Sequence, residues 1–139
     1  MIRIEPVKTS ALMDEAHRIR KEVFVIEQGC PENVEWEFEE ESHHYIALYE
    51  NIIAGTARWR ETGKGIKLER FAVQKDFRNK RVGQALLEHL LAETSHLGRK
   101  RYLNAQVAAL NFYRRNGFIP VGEHFMEAGI EHVTMEYQP

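Results

Sequence analysis

"GIKLERFAVQKDFRNKRVGQALLEHLLAETSHLGRKRYLNAQV", residues 65–107, changes its hydrophobic period twice. Residues 65–73 follow a Gly-Lys-Gly turn and read as a strand. Residues 82–97 then place Val82, Ala85, Leu86, Leu90 and Leu97 on one helical face, widened by Leu87 and Leu91, before Gly98 stops them. Residues 101–107 return to a strand. A strand–helix–strand unit of this length makes a right-handed crossover, so its two strands are expected side by side and parallel. Ligands of such sheets gather at the carboxyl ends of the strands, beside the following helix. In this chain that place is the turn "FRNKRVG", residues 77–83.

The flanking sequence builds outward from this unit. Residues 2–7 read as a first strand, and residues 11–28 as a helix capped by Ser10, with Leu12, Ala16, Ile19 and Val23 at helical spacing. Gly29 and Pro31 end that helix, and residues 29–42 are too acidic for a core. Residues 44–50 and 53–61 flank Asn51-Ile52 as a hairpin. Residues 108–117 form a short helix ended by Gly117, and 118–125 and 131–137 are two strands joined by a loop containing Gly129. With no linker or repeat in view, residues 1–139 are expected to form one α/β domain, a mixed sheet with helices on its faces.

The composition, 43% hydrophobic and 29% charged, is that of an ordinary globular protein. The net charge of −2 gives no support to nucleic-acid binding. No apolar run approaches the ~20 residues that span a bilayer, so no membrane partner is expected. Cys30 is the single cysteine, which rules out an internal disulfide framework and fits a reducing, cytoplasmic setting. The charge is unevenly spread. Glu32, Glu35, Glu37, Glu39, Glu40 and Glu41 form an acidic stretch, whereas Arg70, Lys75, Arg78, Lys80 and Arg81 face Asp76 alone.

Positive side chains at a helix start oppose the helix dipole. The same helix start has unpaired amides that favour an anion, and Gly83 lets a ligand approach the backbone. Either a phosphate-rich ligand binds between Val73 and Val82, or the cations pair with Glu69, Asp76 and Glu88 on a solvated loop. The spacing matches neither a Walker-type loop nor a dinucleotide fingerprint.

A second stretch, "NAQVAALNFYRRNGF" at 104–118, places Ala109, Phe112, Tyr113, Gly117 and Phe118 in an A-x-x-F-Y-x-x-x-G-F pattern. Together with "LERFAVQKDFRNKRVGQALL" it resembles the GNAT superfamily of acyl-CoA-dependent N-acetyltransferases, and the resemblance covers the whole chain. "RIRKEVFVIEQ" and "EAGIEHVTM" resemble the terminal signatures of a bacterial subgroup. The resemblance implies a mostly antiparallel sheet of about seven strands with a splayed central parallel pair, flanked by about four helices. It also implies acetyl-CoA as cosubstrate, no metal, a small-molecule or peptide amine as acceptor, and a homodimer at family level.

By the same resemblance, backbone groups of Phe71, Ala72 and Val73 pair with the pantetheine arm. Amides of Arg78, Asn79, Lys80, Arg81, Val82, Gly83, Gln84 and Ala85 hold the pyrophosphate, and Gln106 and Asn111 complete the cofactor set. Arg81 stands where the family pattern has its first glycine, and Gln106 where many members have asparagine. Amine acetylation by a thioester needs a neutral amine, a polarised carbonyl and a proton for the thiolate. Tyr113 is placed beside the sulfur as the donor, since a phenol of pKa about 10 stays protonated at neutral pH. Its alternative is a tyrosine packed in the core with Phe112.

Two residues compete for the role of base. Glu69, two residues before Phe71, shares its side of the strand by alternation; otherwise it pairs with Arg58, Arg60 or Arg70. His132 offers an imidazole suited to proton abstraction, or else a hydrogen bond across the final hairpin. Glu27, Gln28 and Trp36 are candidates for the acceptor pocket, and the acidic stretch would attract a cationic acceptor. Cys30 leaves an acyl-cysteine route open. His43 and His44, adjacent on a strand, point to opposite faces and do not chelate one ion. The alternative to an enzyme is a non-catalytic acyl-CoA-binding regulatory module.

Overall fold

The structure, a computed structural model, describes the backbone of residues 1–139 and every side chain except those of residues 34 and 35. Seven strands run β1 (Ile2–Pro6), β2 (His43–Tyr49), β3 (Ile52–Thr62), β4 (Gly65–Val73), β5 (Arg101–Gln106), β6 (Phe118–Glu127) and β7 (Ile130–Tyr137). They form one sheet in the order β1-β2-β3-β4-β5-β7-β6. Every neighbouring pair is antiparallel except β4 and β5, the parallel pair expected from the crossover. Three helices flank the sheet: α1 (Ser10–Arg20), α3 (Val82–Thr94) and α4 (Leu110–Arg115). A fourth, α2 (Glu32–Glu35), is a single turn that packs on the end of the α1 arm, so the expected four helices reduce to three that flank the sheet.

Strand alternation assigns the two faces. Tyr45, Ala47, Ala57, Trp59, Ile66 and Leu68 pack with Val82, Leu86, Leu87 and Leu90 of α3 in the main core. Gly55 lets α3 come this close, because a Cβ there would stand 3.2 Å from Val82 and 3.0 Å from the Ala72 carbonyl. The residues between them, such as Thr56 and Arg58, face the opposite side, where Ile19 and Val23 of the α1 arm pack with Ala72.

Several boundaries move from their sequence positions for local reasons. Thr9, not Ser10, caps α1: it is extended at φ −129° and its side chain accepts from the Leu12 amide at 3.2 Å. The predicted helix over 11–28 keeps α-helical form only to Arg20 and continues as wider, π-helical turns over Lys21–Glu27. The first hairpin turns at Glu50-Asn51 rather than Asn51-Ile52, with φ of 49° and 68°. Asn tolerates that left-handed region; a β-branched isoleucine does not. Ala128 and Gly129 make the same kind of two-residue turn between β6 and β7, so both strands run longer than their patterns indicate.

The acidic stretch departs furthest from expectation. Glu39 turns inward, where it meets Arg20 and Arg58, both 1% exposed. Buried guanidinium groups need a carboxylate, and that need outweighs the solubility of one glutamate. Glu35, from the same stretch, lies outside the described side chains.

Candidate active site

β4 and β5 pair only at Ile66↔Arg101 and Lys67↔Tyr102 and then separate. A bulge accompanies the separation. Arg58 pairs with Glu69 and Thr56 with Ala72, so Arg70 and Phe71 together oppose Ala57, and Arg70 has φ of 59°. The extra residue bends the strand and shifts its alternation. Glu69 therefore shares a face with Ala72, while Phe71 joins Leu68 on the main-core side. This corrects the expectation that Glu69 and Phe71 share a side; strict period-2 alternation fails across a bulge.

Between the parted strands lies a cavity of about 270 Å³. It brings together Glu69, Phe71, Gln106, Tyr113, His132 and Gln28, from five separate elements. Cys30 and Phe38 also line it. Trp36 does not; its ring packs on His17 at 4.8 Å and under the Arg20 guanidinium at 5.2 Å. Phe38, two residues on, holds the position expected of Trp36. Asn111 is exposed on α4, away from the wall.

Tyr113 is set by aromatic packing. Phe112, Phe118 and Phe71 surround its ring edge-on, with centroids at 5.1, 6.0 and 6.4 Å. Burial pushes the Tyr113 hydroxyl above the ordinary tyrosine range, so the phenol is firmly protonated. His132 stands across the cavity on β7. Its Nδ1 donates to the Ile130 carbonyl at 2.7 Å, which leaves Nε2 as an acceptor in the neutral ring, 3.7 Å from Glu127. Phe125 stacks on the ring at 5.8 Å. Gln106 donates through Nε2 to Gln28 Oε1 at 3.0 Å, tying β5 to the end of the α1 arm.

Glu69 is bound up in cations. Arg58 and Arg60 each donate to its Oε2 through Nε at 2.8 Å, and Lys67 Nζ stands 3.4 Å from Oε1. Burial alone would raise its pKa, but the Arg58 charge, the Arg60 hydrogen bond and Lys67 outweigh burial and hold it at about 2. A carboxylate of that acidity is a poor proton acceptor at neutral pH. Glu39 follows the same pattern: burial opposes ionisation, and Arg20, His44 and Arg58 win. His44, desolvated beside it, is pushed below the ordinary histidine range.

The turn before α3 places Asn79 and Arg81 at φ of 63° and 66°. Arg81 therefore adopts the left-handed conformation that a glycine would supply, at the N-cap of α3 and without a side-chain cap. The Arg81 carbonyl takes its helical bond from the Ala85 amide at 3.0 Å, and the amides before Ala85 belong to the unpaired first turn. A Cβ on Gly83 would meet Val73 and Phe112 only at 3.9 and 4.0 Å, so packing within the chain does not demand glycine there. This cradle fits a pyrophosphate. The side chains of the turn are variously engaged: Arg78 donates to both oxygens of Glu27 at 3.0 and 2.9 Å and to the Val73 carbonyl, while Lys80 lies 5.5 Å from the Tyr49 ring. Glu27 is thus occupied by Arg78 beside the cleft. Among the described residues, no group of three or more His, Cys, Asp or Glu converges as a metal site.

The acetyltransferase (GNAT) domain family matches residues 8–139. The uncharacterised N-acetyltransferase YjcF of Bacillus subtilis is 35% identical over 131 residues, which cover 92% of this chain and 94% of that protein. The crystal structure of Escherichia coli ElaA superposes with a TM-score of 0.84 at 27% identity, covering 99% of this chain and all of that one (100%). An acyl-CoA N-acyltransferase from Pseudomonas aeruginosa superposes with a TM-score of 0.83 at 25% identity, covering 99% and 98%.

Proposed function

The chain belongs to the GNAT acetyltransferase family, and from that premise we propose that it transfers an acetyl group from acetyl-CoA to a primary amine by direct attack in a ternary complex. The observation that carries this reading is the parting of β4 from β5 beside an uncapped helix start, with Tyr113 on the wall of the gap. The amides of Asn79 to Gln84 would hold the pyrophosphate, those of Arg78 and Ala85 being taken by the Lys75 and Arg81 carbonyls, and the free edge of Phe71–Val73 would take the pantetheine arm as a strand takes a partner.

The amine nitrogen attacks the thioester carbonyl carbon, whose oxygen is polarised by an amide of the Phe71–Val73 edge. The C–S bond then breaks, and Tyr113 donates to the departing thiolate. The proton that ends on sulfur balances the one the amine loses, so acetyl-CoA and amine yield amide and free CoA thiol. His132, whose Nε2 has the Glu127 carboxylate at 3.7 Å to stabilise a proton taken there, is a better acceptor for the amine proton than the cation-bound Glu69, directly or through water. A covalent route through Cys30 is not needed for this balance.

The test follows thiol release from acetyl-CoA across an amine panel, alongside CoA binding by calorimetry. Tyr113→Phe should lower kcat roughly 100-fold with CoA affinity unchanged. Full turnover by that variant, where chemistry limits the rate, would remove Tyr113 from the mechanism. CoA binding without thiol release from any amine would point to the regulatory-module reading.

A further inference from the structure

The wall of the cavity carries a charge imbalance that the transfer chemistry does not use. One carboxylate, Glu69, meets three cations, and Arg58 among them is also within 3.3 Å of Glu39. Arg60 and Lys67 are left to share Glu69, and both line the cavity. Their side chains are only 12% and 16% exposed, so water screens them poorly. Glu37 and Glu127, the other acids of the wall among the described residues, are exposed, and Glu127 faces His132. The Arg60 guanidinium also lies 3.9 Å over the Phe38 ring, which fixes its plane against the cavity. Among the described side chains, Arg60 and Lys67 share the one half-buried carboxylate of Glu69, and an anion from outside would stabilise such a pair.

Resting on the acetyltransferase reading, we propose that the acceptor amine carries a carboxylate or phosphate that seats between Arg60 and Lys67. Guanidinium and ammonium groups together suit either anion. Lys67 stands three ladder steps before Phe71, because the bulge sets Arg70 and Phe71 against Ala57 alone, so the span is roughly 10 Å along a strand rising ~3.3 Å per residue. Even after the reach of the lysine side chain, the anionic group and the reacting nitrogen are several bonds apart. An α-amino group beside its own carboxylate does not span that gap; an ω-amino acid or an aminoalkyl phosphate does. This reverses what the acidic stretch suggests in the sequence, because Glu39 from that stretch is spent on Arg20 and Arg58.

Product analogues test the anion without requiring turnover. With the protein saturated with CoA, 6-acetamidohexanoate, 6-acetamidohexyl phosphate and N-hexylacetamide are titrated in turn by calorimetry. At least one anionic analogue should bind 10-fold or more tighter than the neutral amide, on the order expected for a charge-assisted pair, and the two anionic arms rank carboxylate against phosphate. Lys67→Met, which keeps the apolar stem, should abolish the difference; its CoA affinity reports whether the variant is folded. Equal affinities, undetectable binding of all three, or a difference that survives in folded Lys67→Met would overturn the proposal. Failure of the wild-type protein to bind CoA would instead overturn the acetyltransferase reading.

Discussion

Two concentrations of positive charge in this molecule obey different rules. The turn at Arg78–Arg81 is contiguous in sequence and exposed, and Glu27, reached by Arg78, is its one carboxylate partner among the described residues. The cluster of Arg20, Arg58, Arg60 and Lys67 is assembled from α1, β3 and β4, is largely buried, and is knit together by Glu39 and Glu69. The first offers backbone amides to a ligand and tolerates change. The second is part of the framework, so loss of one partner strands the others in low dielectric.

The sharpest break in that comparison is Glu69→Gln. It leaves Arg58 buried without its main carboxylate and should cost roughly 3–5 kcal/mol in chemical denaturation, whereas Arg78→Gln on the exposed side should cost no more than about 1 kcal/mol. Acid makes the same point with less force. The Glu69 carboxyl titrates at about 2 in the fold against 4.5 for the unperturbed group, so its stabilisation is present above pH 4.5 and lost as pH falls toward 2. That shift corresponds to roughly 3 kcal/mol. Stability measured from pH 6 to pH 2 should therefore fall less steeply in Glu69→Gln than in the wild type; parallel curves would show that Glu69 is not the group responsible.

Gly83→Ala sharpens the ligand side. The added Cβ finds only ordinary contacts, so stability should rise by up to about 1 kcal/mol. CoA affinity should nevertheless fall, by about tenfold if the pyrophosphate sits on these amides. A rise in both would move the cofactor elsewhere. The smallest effect is expected from Arg81→Gly. Relief of a left-handed non-glycine residue should add somewhat less than about 1 kcal/mol, and the loss of one cation should flatten the salt dependence of CoA binding.

Much of the molecule was legible in advance. The β4–α3–β5 unit, its parallel pairing and the helix start at Val82 all follow from period changes within 65–107. Tyr113, Gln106 and His132 were candidates from their motifs, and they meet at one cavity. Other assignments failed where a local rule was interrupted. Alternation placed Glu69 beside Phe71 until the bulge at Arg70 separated them. Trp36 and Phe38 were equivalent by composition, and only the docking of the loop on α1 sent one to Arg20 and the other to the cavity. Arg60 and Lys67 gave no sign of a site, since alternating charges on strands usually mark a solvated face.

The sequence by itself determined the order of elements, the crossover and the polar helix start, because those depend on residues within a few positions of one another. The tertiary structure decided which charges are buried and that Glu69 takes Arg58 and Arg60, two of the three arginines its sequence offered as partners. Arg20 and Glu39 lie far in the chain from the cross-strand pair Arg58 and Glu69, and no periodicity joins the two sets. Their pairing follows from the sheet laying β3 and β4 under α1, where exclusion of water makes each charge depend on the others.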